Sequence, residues 1–198
     1  MPPRPPRRLS RLVACAAAAA LALAAPRVSP AQTPAQDVID ARSAAFFRDR
    51  YLADLDTVRF RIMGLARAIP EDKYAWRPAP GVRSVSEVLM HVAGEWYYFT
   101  PLSAGGKPPA DFGPAREALP RLEKIASKTE VIAELEKSWT HAKAQLSAVD
   151  PAQLTGRYPP WNTTFAQAAF VMSGDLHEHL GQLIAYARSV GVKPPWSK

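Results

Sequence analysis

The feature of the sequence that most constrains its fold is a series of apolar stripes with helical spacing. Between Asp37 and Ile69, apolar residues recur at alternating steps of three and four, at Tyr51, Leu55, Val58, Ile62, Leu65 and Ile69. An α-helix has 3.6 residues per turn, so this spacing places them all on one face. Pro70 follows where the stripe ends. The pattern predicts a first helix from Asp37 to Ile69 with one buried side.

Three further segments show the same spacing together with signals for helix ends. The predicted helices cover residues 84–101, 127–150 and 163–190. The first two open with Ser84-x-x-Glu87 and Ser127-x-x-Glu130, which fit the capping-box pattern. Gly191 is placed to end the last helix, because glycine readily adopts the left-handed conformation of a helix C-cap.

The segment between Pro101 and Ala126 has no sustained period. It contains Gly105, Gly106 and four further prolines, with one short helical turn predicted near residues 115–119. We interpret it as a long connection that crosses the molecule. No run of alternating residues predicts a sheet. The predicted fold class is therefore all-α, a four-helix bundle with one long crossover connection.

Residues 1–31 have the pattern of a targeting signal rather than of a folded domain. A positively charged start is followed by the apolar run from Leu12 to Ala25, which is short for a membrane span. Small residues at Ser29 and Ala31 provide a cleavage site before Gln32; cleavage after Ala25 and an uncleaved anchor are the alternatives. We expect residues 1–31 to be a signal peptide and residues 32–198 to be an exported domain, periplasmic or secreted.

Charge and cysteine content narrow the range of functions. Residues 1–31 contain five of the 25 basic residues and none of the 18 acidic ones, so residues 32–198 carry a net charge of only +2. No basic run with interleaved aromatic residues remains, and we expect no nucleic-acid partner. The single cysteine, Cys15, lies in the predicted signal peptide. Any metal ion must therefore be bound by His, Asp or Glu.

Three of the four histidines fall near the middles of predicted helices whose inner faces should meet. His91 lies on the second helix, and Asp175 and His179 lie one turn apart on the fourth. Positions i and i+4 project in nearly the same direction, so two such side chains can bind one ion. The predicted metal ligands are therefore His91, Asp175 and His179. Ordinary hydrogen bonding at the bundle edge is the alternative for both histidines.

Other polar residues near these positions have less definite roles. Glu95, one turn after His91, is our predicted catalytic residue, as a general base; a fourth ligand or a partner of His91 are its alternatives. His177 points away from the face of His179 in a regular helix, and it can replace Asp175 only if the helix is distorted. His141 shares a face with polar residues, and we expect it to be solvated.

Two stretches of the sequence resemble the signatures of DinB-like proteins. They are Ser84-Val85-Ser86-Glu87-Val88-Leu89-Met90-His91-Val92-Ala93 and His179-Leu180-Gly181-Gln182-Leu183-Ile184-Ala185-Tyr186-Ala187-Arg188, and Trp76-Arg77-Pro78 is similar to that family as well. The resemblance covers residues 40–196. It implies a four-helix bundle, often a homodimer, that holds a divalent metal through one His of the second helix and a His-x-x-x-His pair on the last.

The chain departs from that pattern at one ligand. His91 and His179 match family ligands, but Asp175 stands where the first His of the pair is expected. A carboxylate also binds divalent ions, so the site is either kept with an altered metal preference or lost. The expected cofactor is a divalent ion, with Ni, Zn, Mn and Fe all remaining open.

Two functions follow from the resemblance and the residues. The first is a metal-dependent enzyme of the thiol-dependent transferase or hydrolase type, acting on an unknown small-molecule substrate. A transferase would need an external low-molecular-weight thiol as its partner, since the exported domain has none of its own. The second is a non-catalytic helical-bundle protein with a degenerate metal site, which binds an apolar ligand in a groove near Trp96 and Tyr97.

Overall fold

A computed structural model describes residues 39–197, so the predicted signal peptide at 1–31 lies outside the described residues. Six α-helices follow one another in this region, and we number them in chain order. They are α1 (Ala41–Ala68), α2 (Val85–Tyr97), α3 (Phe99–Ser103), α4 (Ala115–Leu122), α5 (Lys128–Ala148) and α6 (Phe165–Ser189). Two short strands, β1 (Arg157–Tyr158) and β2 (Thr163–Thr164), pair antiparallel before α6.

The four predicted helices correspond to α1, α2, α5 and α6. Polar side chains at their N-termini explain where they begin. Asp40 accepts a hydrogen bond from the Ser43 amide and starts α1, and Ser127 does the same for α5 through the Glu130 amide. At α2 the capping box is complete, because Ser84 and Glu87 each accept a hydrogen bond from the other's backbone amide.

The four long helices enclose one apolar core. Helices α1 and α2 each pack against both α5 and α6, so the order around the bundle is α1, α5, α2, α6. The apolar stripe of α1 is buried throughout, as the spacing predicts. The largest fully buried side chains include Trp96, Leu55, Ile62, Met63, Leu89, Leu135 and Leu146. The predicted all-α bundle is confirmed.

The connection between α2 and α5 contains α3 and α4, and α4 packs against α2. Gly94 makes this close approach feasible, because a Cβ atom there would lie 2.5 Å from Cδ2 of Leu119 on α4. Helix α4 thereby brings Glu123, the residue that follows its C-terminus, beside the middle of α2. No helix within residues 39–197 has both the length and the apolar character needed to cross a membrane.

Candidate metal centre

Three side chains that can bind a metal meet where α2 faces α6. His91 and Glu95 lie one turn apart on α2, and His179 reaches them from α6. Glu95 Oε1 lies 3.3 Å from His91 Nε2 and 3.2 Å from His179 Nε2. One potential ligand atom from each residue lies within 4.8 Å of the other two. Two helices thus supply two imidazoles and one carboxylate to a single point.

Glu95 lies at the bottom of this cluster. Its side chain is only 3% exposed, against 22% for His91 and 15% for His179. Its second oxygen, Oε2, is buried and has no hydrogen-bond partner among residues 39–197. An unpaired carboxylate oxygen at this depth is costly, so the site favours a further positive or donating group.

The charges of the cluster depend on one another. Burial raises the pKa of Glu95, but the hydrogen bonds with His179 and His91 outweigh burial and lower that pKa to about 2. For His179, burial acts in the opposite direction and lowers the pKa, but the hydrogen bond with Glu95 outweighs burial, so the pKa of His179 is raised. The carboxylate is therefore ionised and favours positive charge on the groups around it.

The far side of each imidazole is held by an oxygen acceptor. His91 Nδ1 lies 3.1 Å from Glu123 Oε1, and His179 Nδ1 lies 3.3 Å from Gln182 Oε1. These oxygens accept hydrogen bonds, so each Nδ1 carries the hydrogen. In the neutral ring, Nε2 then presents a lone pair toward Glu95 Oε1, which is also an acceptor. Protons or a metal cation must lie between these three atoms.

The donor set fits a divalent transition metal. Two imidazole nitrogens and one carboxylate oxygen are a common set for Zn²⁺ at reactive sites and for Fe²⁺. Three protein ligands also leave coordination positions for water or a substrate. The buried Oε2 of Glu95, which has no hydrogen-bond partner in the described part of the chain, adds an acceptor that a cation would satisfy. The residues present therefore fit the ion that the sequence led us to expect.

Asp175 stands at the edge of this cluster. Its Oδ1 lies 4.0 Å from His179 Nε2, and its side chain is 43% exposed. Burial, then hydrogen bonding to Glu95, then the charge of Glu95 raise the pKa of Asp175 to about 6. The structure groups Glu95, rather than Asp175, with the two histidines. The assignment of Asp175 as a ligand and of Glu95 as a general base remains a prediction.

The other two histidines lie elsewhere. His177 Nε2 is 2.9 Å from Asp54 Oδ1 on α1, and Ser173 donates to the same carboxylate. Helix α6 is continuous through this region, so the distortion that would turn His177 toward His179 is not present. His141 is partly buried, and its Nε2 lies 2.8 Å from the Lys107 carbonyl oxygen. His141 is therefore only partly solvated, because one side of its ring contacts the Lys107 carbonyl oxygen.

A cavity of about 280 Å³ opens beside His91. Its walls combine apolar and charged side chains, from Arg83, Arg116, Leu119, Pro120 and Glu123 among others. The expected groove near Trp96 and Tyr97 is lined by only one of these two residues. Trp96 is fully buried against Trp139, whereas Tyr97 lines a separate cavity of about 230 Å³.

Sequence reasoning missed the residues that hold the histidines from outside. Glu123 lies in the connection without a period, so no spacing linked it to His91. Gln182 did carry a signal, because it follows His179 by three residues and so shares its helix face.

Comparison with known proteins agrees with the geometry. A family model described as the DinB superfamily matches residues 54–183. That range includes His91, Glu95, Asp175 and His179. The comparison with curated proteins gives no match.

Proposed function

Since the chain belongs to the DinB superfamily, we propose that it is a divalent-metal-dependent enzyme that binds its ion through His91, Glu95 and His179. The observation that carries the proposal is the convergence of three acceptor atoms from two helices within 4.8 Å. The donor set supports Zn, Ni, Mn or Fe, among which coordination geometry decides.

The proposed reaction is a thiol-dependent transfer or a hydrolysis. When bound, a divalent ion would supply Lewis acidity that favours the deprotonated form of a thiol or water. Asp175 has the exposure and the position, 4.0 Å from His179 Nε2, to accept the proton released. A thiol must come from a low-molecular-weight partner, because the only cysteine, Cys15, lies in the predicted signal peptide.

We propose that the small-molecule substrate uses the cavity beside His91. Arg83 and Arg116 line it together with the apolar side chains of Leu119 and Pro120. Glu123 is already paired with Arg83 and His91, whereas the ion pair of Arg116 within residues 39–197 is with its sequence neighbour Glu117 and is strongly exposed. This lining favours a small molecule with an apolar part and an anionic group.

Metal analysis tests the proposal most directly. Residues 32–198 would be purified without a histidine tag and analysed for bound elements, beside His91→Ala, His179→Ala and the control His141→Ala. We expect one ion per chain in the wild type and in the control, and none in the two site variants. Metal-free wild-type protein, even after incubation with Zn²⁺, Ni²⁺ and Mn²⁺, would reject the proposal. The metal-loaded protein would then be assayed with thiols and electrophiles, and with esters and amides.

A non-catalytic binding protein with a degenerate metal site is the second candidate. The observation that favours it is Asp175, which stands in the position of a family ligand yet lies outside the three-residue cluster. Asp175→His distinguishes the two functions. If the native site is degraded, the added imidazole should raise Zn²⁺ affinity strongly; if the native site is complete, affinity should change little.

Export of the protein is also a proposal. It rests on the charged start and apolar run of residues 1–31. N-terminal sequencing of protein recovered outside the cytoplasm should give Gln32 as the first residue. A chain that begins at Met1 or remains in the cytoplasm would contradict it.

A homodimer is the partner that the exposed aromatic residues support. Phe46 and Phe60 on α1 and Phe170 on α6 are each about two thirds exposed. Exposed apolar side chains mark a contact surface where they lie together in one patch. Light scattering coupled to gel filtration should show twice the chain mass, and Phe60→Ser with Phe170→Ser should reduce it to one chain.

A further inference from the structure

The outer hydrogen bonds of the two histidines belong to one connected path. Glu123 Oε1 accepts the hydrogen bond from His91 Nδ1. It also accepts one from Arg83 Nε at 3.2 Å and lies 3.1 Å from Arg83 Nη2. Arg83 immediately precedes Ser84, the N-cap of α2. The side chain of Arg83 therefore fixes the acceptor that orients His91.

The same arginine is reached from His179 through α6. Gln182, the acceptor for His179 Nδ1, donates from Nε2 to the Tyr186 hydroxyl at 3.0 Å. Tyr186 then donates to the backbone carbonyl of Arg83 at 3.1 Å. Each donor in this path faces an acceptor, and each hydrogen atom takes part in only one of these hydrogen bonds.

We infer that Glu123, Arg83, Tyr186 and Gln182 are positioning residues, which together hold both candidate ligands with Nδ1 protonated and Nε2 turned toward Glu95. This inference rests on the proposed function. The path connects the end of α4, the segment before α2, and α6, and it closes on itself through the histidine–Glu95 cluster. A change at Tyr186 should therefore affect a metal ion that Tyr186 does not touch.

The surroundings of Tyr186 make its hydroxyl separable from its ring. The ring is 6% exposed and packs edge-on against Trp76, with centroids 5.3 Å apart. Tyr186→Phe keeps that packing and removes only the link between Gln182 and Arg83. Gln182 is then free to rotate, and His179 loses a fixed acceptor for Nδ1.

Tyr74 provides a matched control. It too is a buried tyrosine whose hydroxyl donates to a backbone carbonyl, that of Ala66, at 2.6 Å. Tyr74→Phe should lower the melting temperature as Tyr186→Phe does, while leaving metal binding unchanged. Any loss of metal affinity that is specific to Tyr186 cannot then be assigned to a general loss of stability.

The experiment measures Zn²⁺ affinity by competition with a chromophoric chelator. We expect Tyr186→Phe and Glu123→Ala each to weaken binding by about 10- to 100-fold, the range typical of partners that orient metal-bound histidines. Glu123→Gln keeps an oxygen acceptor for His91 Nδ1 and should recover part of the loss. Long-range ¹H–¹⁵N spectra should show Nδ1–H on both histidines in the Zn²⁺-loaded wild type, and a mixture of tautomers at His179 in Tyr186→Phe.

The outcomes separate this inference from the proposed function. If the wild type binds none of Zn²⁺, Ni²⁺ and Mn²⁺, both are rejected. If the wild type binds Zn²⁺ and folded Tyr186→Phe and Glu123→Ala bind it within twofold of the wild type, the positioning role alone is rejected. Should Glu123→Ala fail to fold, Tyr186→Phe against Tyr74→Phe still decides the result.

Discussion

Glu95 lies between the two histidines, and metal affinity should depend strongly on this residue. We predict that Glu95→Gln weakens Zn²⁺ binding by about 100-fold or more, because it removes the only buried negative charge of the cluster. This loss exceeds the one expected for Glu123→Ala or Tyr186→Phe. Asp175→Asn should cost less than about tenfold, since the Asp175 carboxylate is farther away and 43% exposed. Chelator competition measures both. A larger loss from Asp175→Asn would instead support the prediction that Asp175 is a ligand.

The sequence identified His91 and His179 but not the depth of each side chain. Four-residue spacing correctly places Asp175 and His179 on one face of α6. It cannot say which end of that face meets α2, because this depends on how the two helices cross. Glu95 shares a face with His91 for the same reason, yet its position between both histidines depends on α6. Contacts between helices therefore decided what the spacing within each helix left open.

Among the helices, the contact between α2 and α4 gives a sharp test of packing. Glycine inside an exposed helix normally costs about 1 kcal/mol relative to alanine. Gly181→Ala on α6 should therefore stabilise the protein by roughly that amount, because within residues 39–197 the new Cβ would have no atom within 4 Å beyond its chain neighbours and the nearby backbone of its own helix. Gly94→Ala should not stabilise it, since the new Cβ would lie 2.5 Å from Leu119 Cδ2. Urea unfolding measures both changes.

A shift of α4 caused by Gly94→Ala should also affect the metal centre. Because α4 ends next to Glu123, movement of Leu119 away from the methyl group that Gly94→Ala introduces would weaken the hydrogen bond at His91 Nδ1. Adding Leu119→Ala to Gly94→Ala should relieve the overlap. If Gly94→Ala stabilises the protein as much as Gly181→Ala and leaves Zn²⁺ affinity intact, the close contact with α4 does not constrain the site.

The N-terminus of α2 should show a pH-dependent contribution to stability. The hydrogen bond from Arg77, opposed by burial, holds the pKa of Glu87 below its ordinary value of 4.5. Ionised Glu87 therefore stabilises the folded chain at pH values above 4.5, and this contribution disappears as the pH falls through the lower folded-state pKa. At pH 7, Glu87→Gln keeps the capping hydrogen bond but removes the ion pair with Arg77, so it should lower the free energy of unfolding by roughly 0.5 kcal/mol.

The difference between wild type and Glu87→Gln should shrink in urea titrations repeated toward pH 3. Glu130→Gln, at the corresponding position of α5, is the control. The capping interaction of α5 runs only from Ser127 to the Glu130 amide among the described hydrogen bonds, so the side chain of Glu130 should matter less. A difference that stays constant with pH would exclude the Glu87 charge as its source.

Helix starts were the elements best predicted from sequence, because a capping side chain acts within three residues. Ser84 and Ser127 occupy the expected N-cap positions, and Thr164 caps the last helix, one residue after its predicted start at residue 163. The first helix begins at Ala41 rather than at Asp37, since Asp40 is the residue that caps it. Helix α4 was expected only as a short turn: it has eight residues with Pro120 inside, too few for a periodic stripe.

At the scale of the whole molecule, the apolar stripes predicted the bundle but not the order of its helices. A stripe shows which side of a helix is buried and does not show which neighbour buries it. The observed order sets α2 beside α6 and so creates the contact on which the metal centre depends. Local sequence therefore supplied the ligands, and the arrangement of the bundle brought them together.

Metal binding should stabilise the whole bundle, because the ion would bind the folded chain and not separate helices. At a free Zn²⁺ concentration 100 times the dissociation constant, the gain is about 2.7 kcal/mol. For a domain of this size, that corresponds to a rise in melting temperature of roughly 5–10 °C. Calorimetry of residues 32–198 with Zn²⁺ and with excess chelator measures it. The double variant His91→Ala, His179→Ala should show no rise; an equal rise there would place the ion elsewhere, with His177 and Asp54 as the first residues to replace.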